Sequence, residues 1–199
     1  MKALKTPLRY PGGKSRACTK MDQFLPDLNR YKEFREPFLG GGSVSLHIIK
    51  KYPHLEIWVN DLYEPLINFW TELQKDGLTL KNELTNLKIA HCNQDSARCL
   101  FDVMKETVND KTKTDLERAV AFYVVNKCSF SGLTESSSFS AQASDSNFSM
   151  RGIEKLPEYS EIISHWHINQ YSYEYCFRTD VHDGLFMYLD PPYDIKDNL

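Results

Sequence analysis

The chain has 199 residues, 41% hydrophobic and 26% charged, the balance of an ordinary globular protein large enough to bury a sizeable core. No apolar run approaches the ~18 residues of a membrane span, and Lys2, Lys5 and Arg9 lead into no hydrophobic stretch, so neither a membrane helix nor a secretory signal is expected. The five cysteines are odd in number and never spaced C-x-x-C; they read as reduced thiols, which fits a cytoplasmic location. A net charge of −3 does not mark a nucleic-acid binder, yet residues 1–20 carry six cations and no acid, a local patch suited to phosphates.

In chain order, residues 1–13 read as irregular, with two prolines and two glycines, and a helix is expected over about 14–26. Residues 32–38 form a short strand running into Gly40-Gly41-Gly42, and Ser43 opens a helix. A second strand covers 55–60, with β-branched and aromatic residues, and a helix follows from Tyr63 to Lys75 with Pro65 in its first turn. Residues 76–113 are polar with helical stretches, and Thr114 to Glu117 is a capping box that starts another helix. The serine-rich stretch 129–152 reads as a loop or loose hairpin rather than a core element. A helix near 157–165 and strands at 166–171 and 184–189 complete the pattern. Strand–helix alternation of this kind implies an α/β, Rossmann-like fold around a parallel sheet.

Two motifs carry chemistry. Phe38-Leu39-Gly40-Gly41-Gly42 lies between a strand and a helix, and Asp61 follows Gly40 by 21 residues. In nucleotide-binding α/β folds an acid at about that spacing accepts hydrogen bonds from ribose hydroxyls. A third glycine of G-x-G-x-x-G would fall at Ser45, which disfavours a dinucleotide and leaves another adenosine-bearing cofactor. Gly12-Gly13-Lys14-Ser15 is not a P-loop, because the glycine required five residues before Gly13 is Leu8. The second motif is Asp190-Pro191-Pro192-Tyr193, which follows an apolar run and so sits at the ligand-binding end of a strand. An exocyclic aromatic amine is a poor nucleophile while its lone pair is delocalised into the ring. Asp190 and the Pro191 carbonyl can accept its two N–H groups and favour a pyramidal nitrogen, Pro191 and Pro192 fix the turn, and Tyr193 can stack on the base. The methyl donor for such a reaction is a sulfonium and needs no metal. His165, His167 and His182 lack a Cys or acid that completes a ligand set.

With these parts in place the chain resembles the Dam-like family of adenine-N6 DNA methyltransferases, many of them phage-borne and some paired with restriction enzymes. Pro7 to Lys14 is similar to the family's W-A-G-G-K segment, Glu36 to Ser43 to its E-P-F-x-G-x-G-S motif, and Val59-Asn60-Asp61 to its acidic motif. The resemblance implies S-adenosylmethionine as cofactor, held by Tyr10, Lys14, Phe38, Gly40, Gly42, Asp61 and Asp190. It implies double-stranded DNA as partner. Asn126 to Leu133 resembles N-R-x-G-[FY]-N-G-L, in which the aromatic residue enters the duplex beside a flipped adenine; the position is Phe130 here. Lys14, Lys127, Phe130, Ser131, Leu133 and Arg151 are the DNA-contact candidates. The family's G-A-T-C readers carry Arg two residues after the Leu, where this chain has Glu135, so the resemblance does not extend to that word. The implied organisation is a partial catalytic domain, 1–75 and 157–199, interrupted by a mainly helical target-recognition insertion, 76–156. The family continues for about three more strands, so the sheet is expected to be incomplete, finished by a further C-terminal segment or a partner chain. Two alternatives stand beside adenine methylation: a fragment that binds cofactor or DNA without turnover, and methylation of another planar amine such as cytosine or a glutamine side chain.

Overall fold

The computed structural model describes residues 5–10, 12–132 and 137–192, with the side chain of residue 131 excepted. The elements are α1 (Cys18–Met21), β1 (Glu33–Glu36), α2 (Ser43–Lys51), β2 (Glu56–Asn60), α3 (Glu64–Ala90), α4 (Gln94–Thr107), α5 (Asp115–Cys128), α6 (Ala141–Ser146), α7 (Met150–Ile153), α8 (Leu156–Ile162), β3 (His167–Asn169), α9 (Tyr173–Arg178) and β4 (Leu185–Met187). The strands form one parallel sheet in the order β3-β2-β1-β4. The chain leaves β1 toward β2 and β3, then returns to pair β4 on the other side of β1. The crevice at the carboxyl ends of β1 and β4 is therefore the switch point where ligands bind in such sheets.

β1 is buried along its whole length although three of its four residues are charged. Glu33 and Arg35 pair with each other on one face, and Arg35 donates to the carbonyls of Cys176 and Thr179 at 2.9 and 2.5 Å, capping the end of α9. Phe34 and Glu36 face the other side. The strand stays in the sheet interior because Glu33 and Arg35 pair as ions and Glu36 accepts from Ser45.

Helix α3 runs past the expected end at Lys75 to Ala90, bending at Asp76, whose backbone leaves helical geometry. Asp76 restarts the helix by accepting from the amides of Leu78 and Thr79. Gly77 packs so closely on α8 that an added Cβ would lie 2.6 Å from Ser160. Helix α5 begins at the expected capping box, with Thr114 and Glu117 bonding reciprocally. It is buried from Arg118 to Cys128 and leaves no solvent face over that span. Phe69 of α3 stacks on Tyr123 of α5 at 5.8 Å, and Phe148 closes on Tyr123 at 6.4 Å.

Three expectations change. The helix over 14–26 contracts to Cys18–Met21, and Asp22 turns its carboxylate to His47 and Lys51 instead of continuing the helix. Residues 129–152 do start as a hairpin-like bridge between Ser129 and Phe139, but they continue into α6 and α7 and place Phe148 fully inside the core. Helix α9 replaces a connection for which no element was expected.

Candidate functional site

A cavity of about 690 Å³ opens at the switch point, within the roughly 300–1,000 Å³ of small-molecule sites. Its floor is the glycine loop after β1. Gly40 and Gly42 adopt left-handed φ of 49° and 67°, and the loop is wedged between two aromatic rings. A Cβ on Gly40 would lie 3.0 Å from the Tyr10 ring, and one on Gly42 would lie 2.7 Å from Trp70. Glycine is required at both positions by conformation and by space.

The end of β2 supplies Asp61. Its carboxylate accepts from the Gly40 amide at 2.9 Å and the Tyr63 amide at 3.1 Å, tying the acid to the loop. Burial raises its pKa and the backbone amides pull it back. The end of β4 supplies Asp190, whose Oδ2 lies 2.6 Å from the Lys14 ammonium. Lys14 is itself positioned twice more: its amide donates to Ser43 at 3.1 Å, and its ammonium to the Gly12 carbonyl at 3.2 Å. Pro191 and Pro192 are exposed and line the rim of the same cavity.

The structure thus brings Tyr10, Lys14, Phe38, Gly40, Asp61, Asp190, Pro191 and Pro192 to one cavity. Gly42 sits just behind it, against Trp70. Tyr193, Leu133 and Glu135 lie outside the described residues, as does the side chain of Ser131. Phe130 stands 69% exposed on a tight turn, Phe130–Gly132, with its amide bonded to the Ser138 carbonyl. Arg151 is exposed on α7. Lys127, also a DNA-contact candidate, is buried. Its ammonium is drawn inward over the Tyr123 ring, 5.2 Å from the centroid, because α5 has no free face at that position. Burial, with the nearby Arg9 charge, pulls its pKa down to about 8.

Several cavity residues escaped sequence reasoning. Glu36 is buried in the cavity wall, where Ser45 donates to it from both amide and hydroxyl. Burial pushes its pKa up to about 8 against those hydrogen bonds, and the Asp190 and Asp61 charges add to the rise. Tyr173 follows β3 and sets its ring 5.4 Å from Phe38, making an aromatic wall. Asn60 holds the β3 end in place by a reciprocal pair with Tyr171, at 3.0 and 2.9 Å. The position of these residues at carboxyl ends of parallel strands was the available signal.

This donor set fits an adenosine-bearing cofactor. It combines a glycine loop open to close approach, a loop-tethered acid for ribose hydroxyls and an aromatic wall for a flat base. Among the described residues no group of His, Cys, Asp and Glu has the arrangement of a metal site, and no helix is long and apolar enough to cross a membrane.

The chain is similar in sequence to several known proteins. A type II methyltransferase of Methanocaldococcus jannaschii is 25% identical over 134 residues, 63% of this chain and 46% of its own. A DNA N-6-adenine-methyltransferase of Escherichia phage P1 is 29% identical over 126 residues, 63% of this chain and 15% of its own. A type II methyltransferase of Lactococcus lactis subsp. cremoris is 24% identical over 194 residues, 93% of this chain and 64% of its own. The chain therefore spans less than two thirds of the length of each of these relatives. The pattern of one family matches residues 10–198, nearly the whole sequence, and by that match the chain belongs to the D12 class N6 adenine-specific DNA methyltransferases.

Proposed function

We propose that the chain transfers a methyl group from S-adenosylmethionine to the N6 amine of an adenine flipped out of double-stranded DNA. The observation that carries this reading is the meeting of Asp190, Asp61 and the glycine loop in one cavity. The cofactor, when bound, supplies a methyl on a positively charged sulfur, already activated for transfer. Asp61 accepts from its ribose, the Gly40–Gly42 backbone lets it approach, and Phe38 with Tyr173 flanks its base.

Asp190 accepts one N–H of the target amine and the Pro191 carbonyl the other, which localises the nitrogen lone pair. Lys14 holds the Asp190 carboxylate in its orientation. Tyr193, carried over from the motif, is assigned to stacking on the flipped base. Extruding a base costs a few kcal/mol. Phe130, exposed on its turn, offsets that cost by stacking in the duplex. The segment 76–156 acts as the recognition insertion, with Arg151 on its open side and Lys14 near the substrate. Lys127 lies buried in the last turn of α5, just before the Phe130 turn in the chain.

Incubation with tritiated S-adenosylmethionine and adenine-containing duplexes tests the reaction. Label recovered as N6-methyladenine is expected, with Asp190→Ala losing transfer while keeping most cofactor affinity. Undiminished transfer in Asp190→Ala, or label on another amine, would refute it.

One observation favours a second reading, a domain that binds without turnover. Among the described residues β4 pairs only with β1, leaving the strand nearest Asp190 as a sheet edge. Calorimetric cofactor binding with no methyl incorporation at any chain concentration would select it. Restoration of transfer by a partner polypeptide would show that the edge is completed in trans.

A further inference from the structure

Residues 6–10 form a strap with two working edges. On one edge Thr6 donates its hydroxyl to the Gly41 carbonyl, and the Tyr10 side chain covers Gly40 and Gly41 so tightly that a Cβ on Gly41 would lie 2.9 Å from that of Tyr10. That edge is part of the cofactor loop. On the other edge Arg9 meets the turn that carries Phe130. Its guanidinium donates to the Ser129 carbonyl at 2.7 Å. Gly132, at φ 76°, is pressed against Arg9 so that an added Cβ would fall 2.6 Å from the arginine's.

Asn126 joins the two. It is fully buried at the end of α5. Its Oδ1 accepts from the Arg9 amide at 2.9 Å, and its Nδ2 donates to the Arg9 carbonyl at 2.6 Å and the Gly132 carbonyl at 2.9 Å. One side-chain amide thus satisfies both main-chain groups of the strap and one of the turn. No smaller or singly functional side chain has the donors and acceptor to do this. In a buried setting each of these groups is costly to leave unpaired, so strap and turn are held in one relative placement.

We propose that Asn126 is a positioning residue that latches the Phe130 turn to the cofactor loop through Arg9, so that cofactor in the cavity and grip on a DNA duplex strengthen each other. The proposal rests on the methyltransferase reading of the site. A cofactor that seats against Gly40 and Gly41 also seats Tyr10 and Thr6, and with them the main chain of Arg9. The turn, joined to that main chain through Asn126 and to the Arg9 guanidinium at Ser129, is then fixed at the height from which Phe130 meets the duplex. By linkage the reverse holds, and DNA raises cofactor affinity by the same factor.

The test uses S-adenosylhomocysteine, which has no methyl to transfer, and a labelled mixed-sequence duplex rich in adenine. Duplex affinity is read by anisotropy with and without S-adenosylhomocysteine, and S-adenosylhomocysteine affinity by calorimetry with and without duplex. In the unaltered chain the two ratios should agree and lie within the 5- to 150-fold range, on the order of 10-fold, of ordinary coupling between sites. Asn126→Asp keeps the shape and the acceptor but cannot donate to the carbonyls of Arg9 and Gly132. Its ratio should fall to about one while S-adenosylhomocysteine alone binds nearly as before. A merely structural Asn126 would weaken both affinities and leave the ratio intact.

Arg9→Met removes the Ser129 contact but keeps both main-chain bonds, and should give an intermediate ratio. If Asn126→Asp does not fold, by circular dichroism and melting, Arg9→Met decides. A ratio unchanged from the unaltered chain in the deciding variant overturns the proposal. So does an unaltered chain that binds both ligands independently. An unaltered chain that binds no S-adenosylhomocysteine at all instead removes the methyltransferase reading itself.

Discussion

Glu36 makes a quantitative prediction because its burial is complete and burial is the largest influence on its pKa. In the folded chain its pKa is pushed up from 4.5 to about 8, first by burial and then by the Asp190 and Asp61 charges, while the Ser45 amide and hydroxyl pull it down. At pH 7 the folded state keeps the proton and the unfolded state has lost it. The stability this group contributes is therefore full below about pH 4.5 and is lost as pH rises toward about 8. At about 1.4 kcal/mol per pH step for one proton, the whole window amounts to about 5 kcal/mol. Such a loss is comparable to the entire stability of a marginal domain. Glu36→Gln has the shape of the protonated acid, can still accept from Ser45 and has no proton to release. Urea unfolding of both chains between pH 5 and 9 measures the effect. The variant should gain on the parent by about 1.4 kcal/mol per pH step up to about pH 8 and hold a constant margin beyond. Asp61, whose pKa burial also raises, acts in both chains and cancels in the difference to first order. A margin independent of pH would refute the argument, because it would mean that Glu36 is ionised in the fold at neutral pH.

Three further outcomes follow from local geometry. Gly42→Ala must hold φ near 67° with a methyl 2.7 Å from the fully buried Trp70 ring, and should cost on the order of 3 kcal/mol in thermal unfolding and weaken S-adenosylmethionine binding by calorimetry. Thr114→Ala removes the hydroxyl half of the α5 capping box, leaving the Thr114 amide bond to Glu117, and should cost about 1 kcal/mol in urea unfolding, with cofactor affinity unchanged because the cap is remote from the cavity. Lys127→Met replaces a buried cation whose pKa is pulled from 10.5 down to about 8, and should stabilise the chain by roughly 3 kcal/mol at pH 7. That advantage should shrink as pH rises from about 8 through 10.5, because the folded lysine sheds its proton first.

The sequence made the cavity legible where a short stretch of chain determines its own geometry. Gly40 and Gly42 need left-handed backbone, and they stand between a strand and a helix in the sequence itself. Asp61 and Asp190 end strands whose apolar residues announce them, so the carboxyl-edge rule places both acids without a structure. Tertiary partners wrote the rest. Glu36 stands in a strand with three charges, and only pairing of β1 on both sides buries it. Helix α9 has no side-chain cap at its start, and its end is fixed by Arg35, which is 141 residues from Cys176 in the chain. Lys127 shows the same dependence on tertiary partners. A motif match supplied its residue type and an expected DNA contact, but helical phase decides where a side chain points, and α5 offers only buried positions there.

The same reasoning explains why the latch could not be anticipated although every residue of it was in view. Asn126 belongs to the segment that resembles the family's wedge motif, and Arg9 to the segment that resembles its N-terminal motif. The two are 117 residues apart, and each reads as locally sufficient. An amide with two donors and an acceptor, fully buried among main-chain groups, becomes informative only when those groups are seen to belong to different motifs. Segments that share one buried hydrogen-bonding side chain are not independent modules. A change at Arg9 or Gly132 should therefore lower the coupling between cofactor and duplex more than it lowers the affinity for cofactor alone.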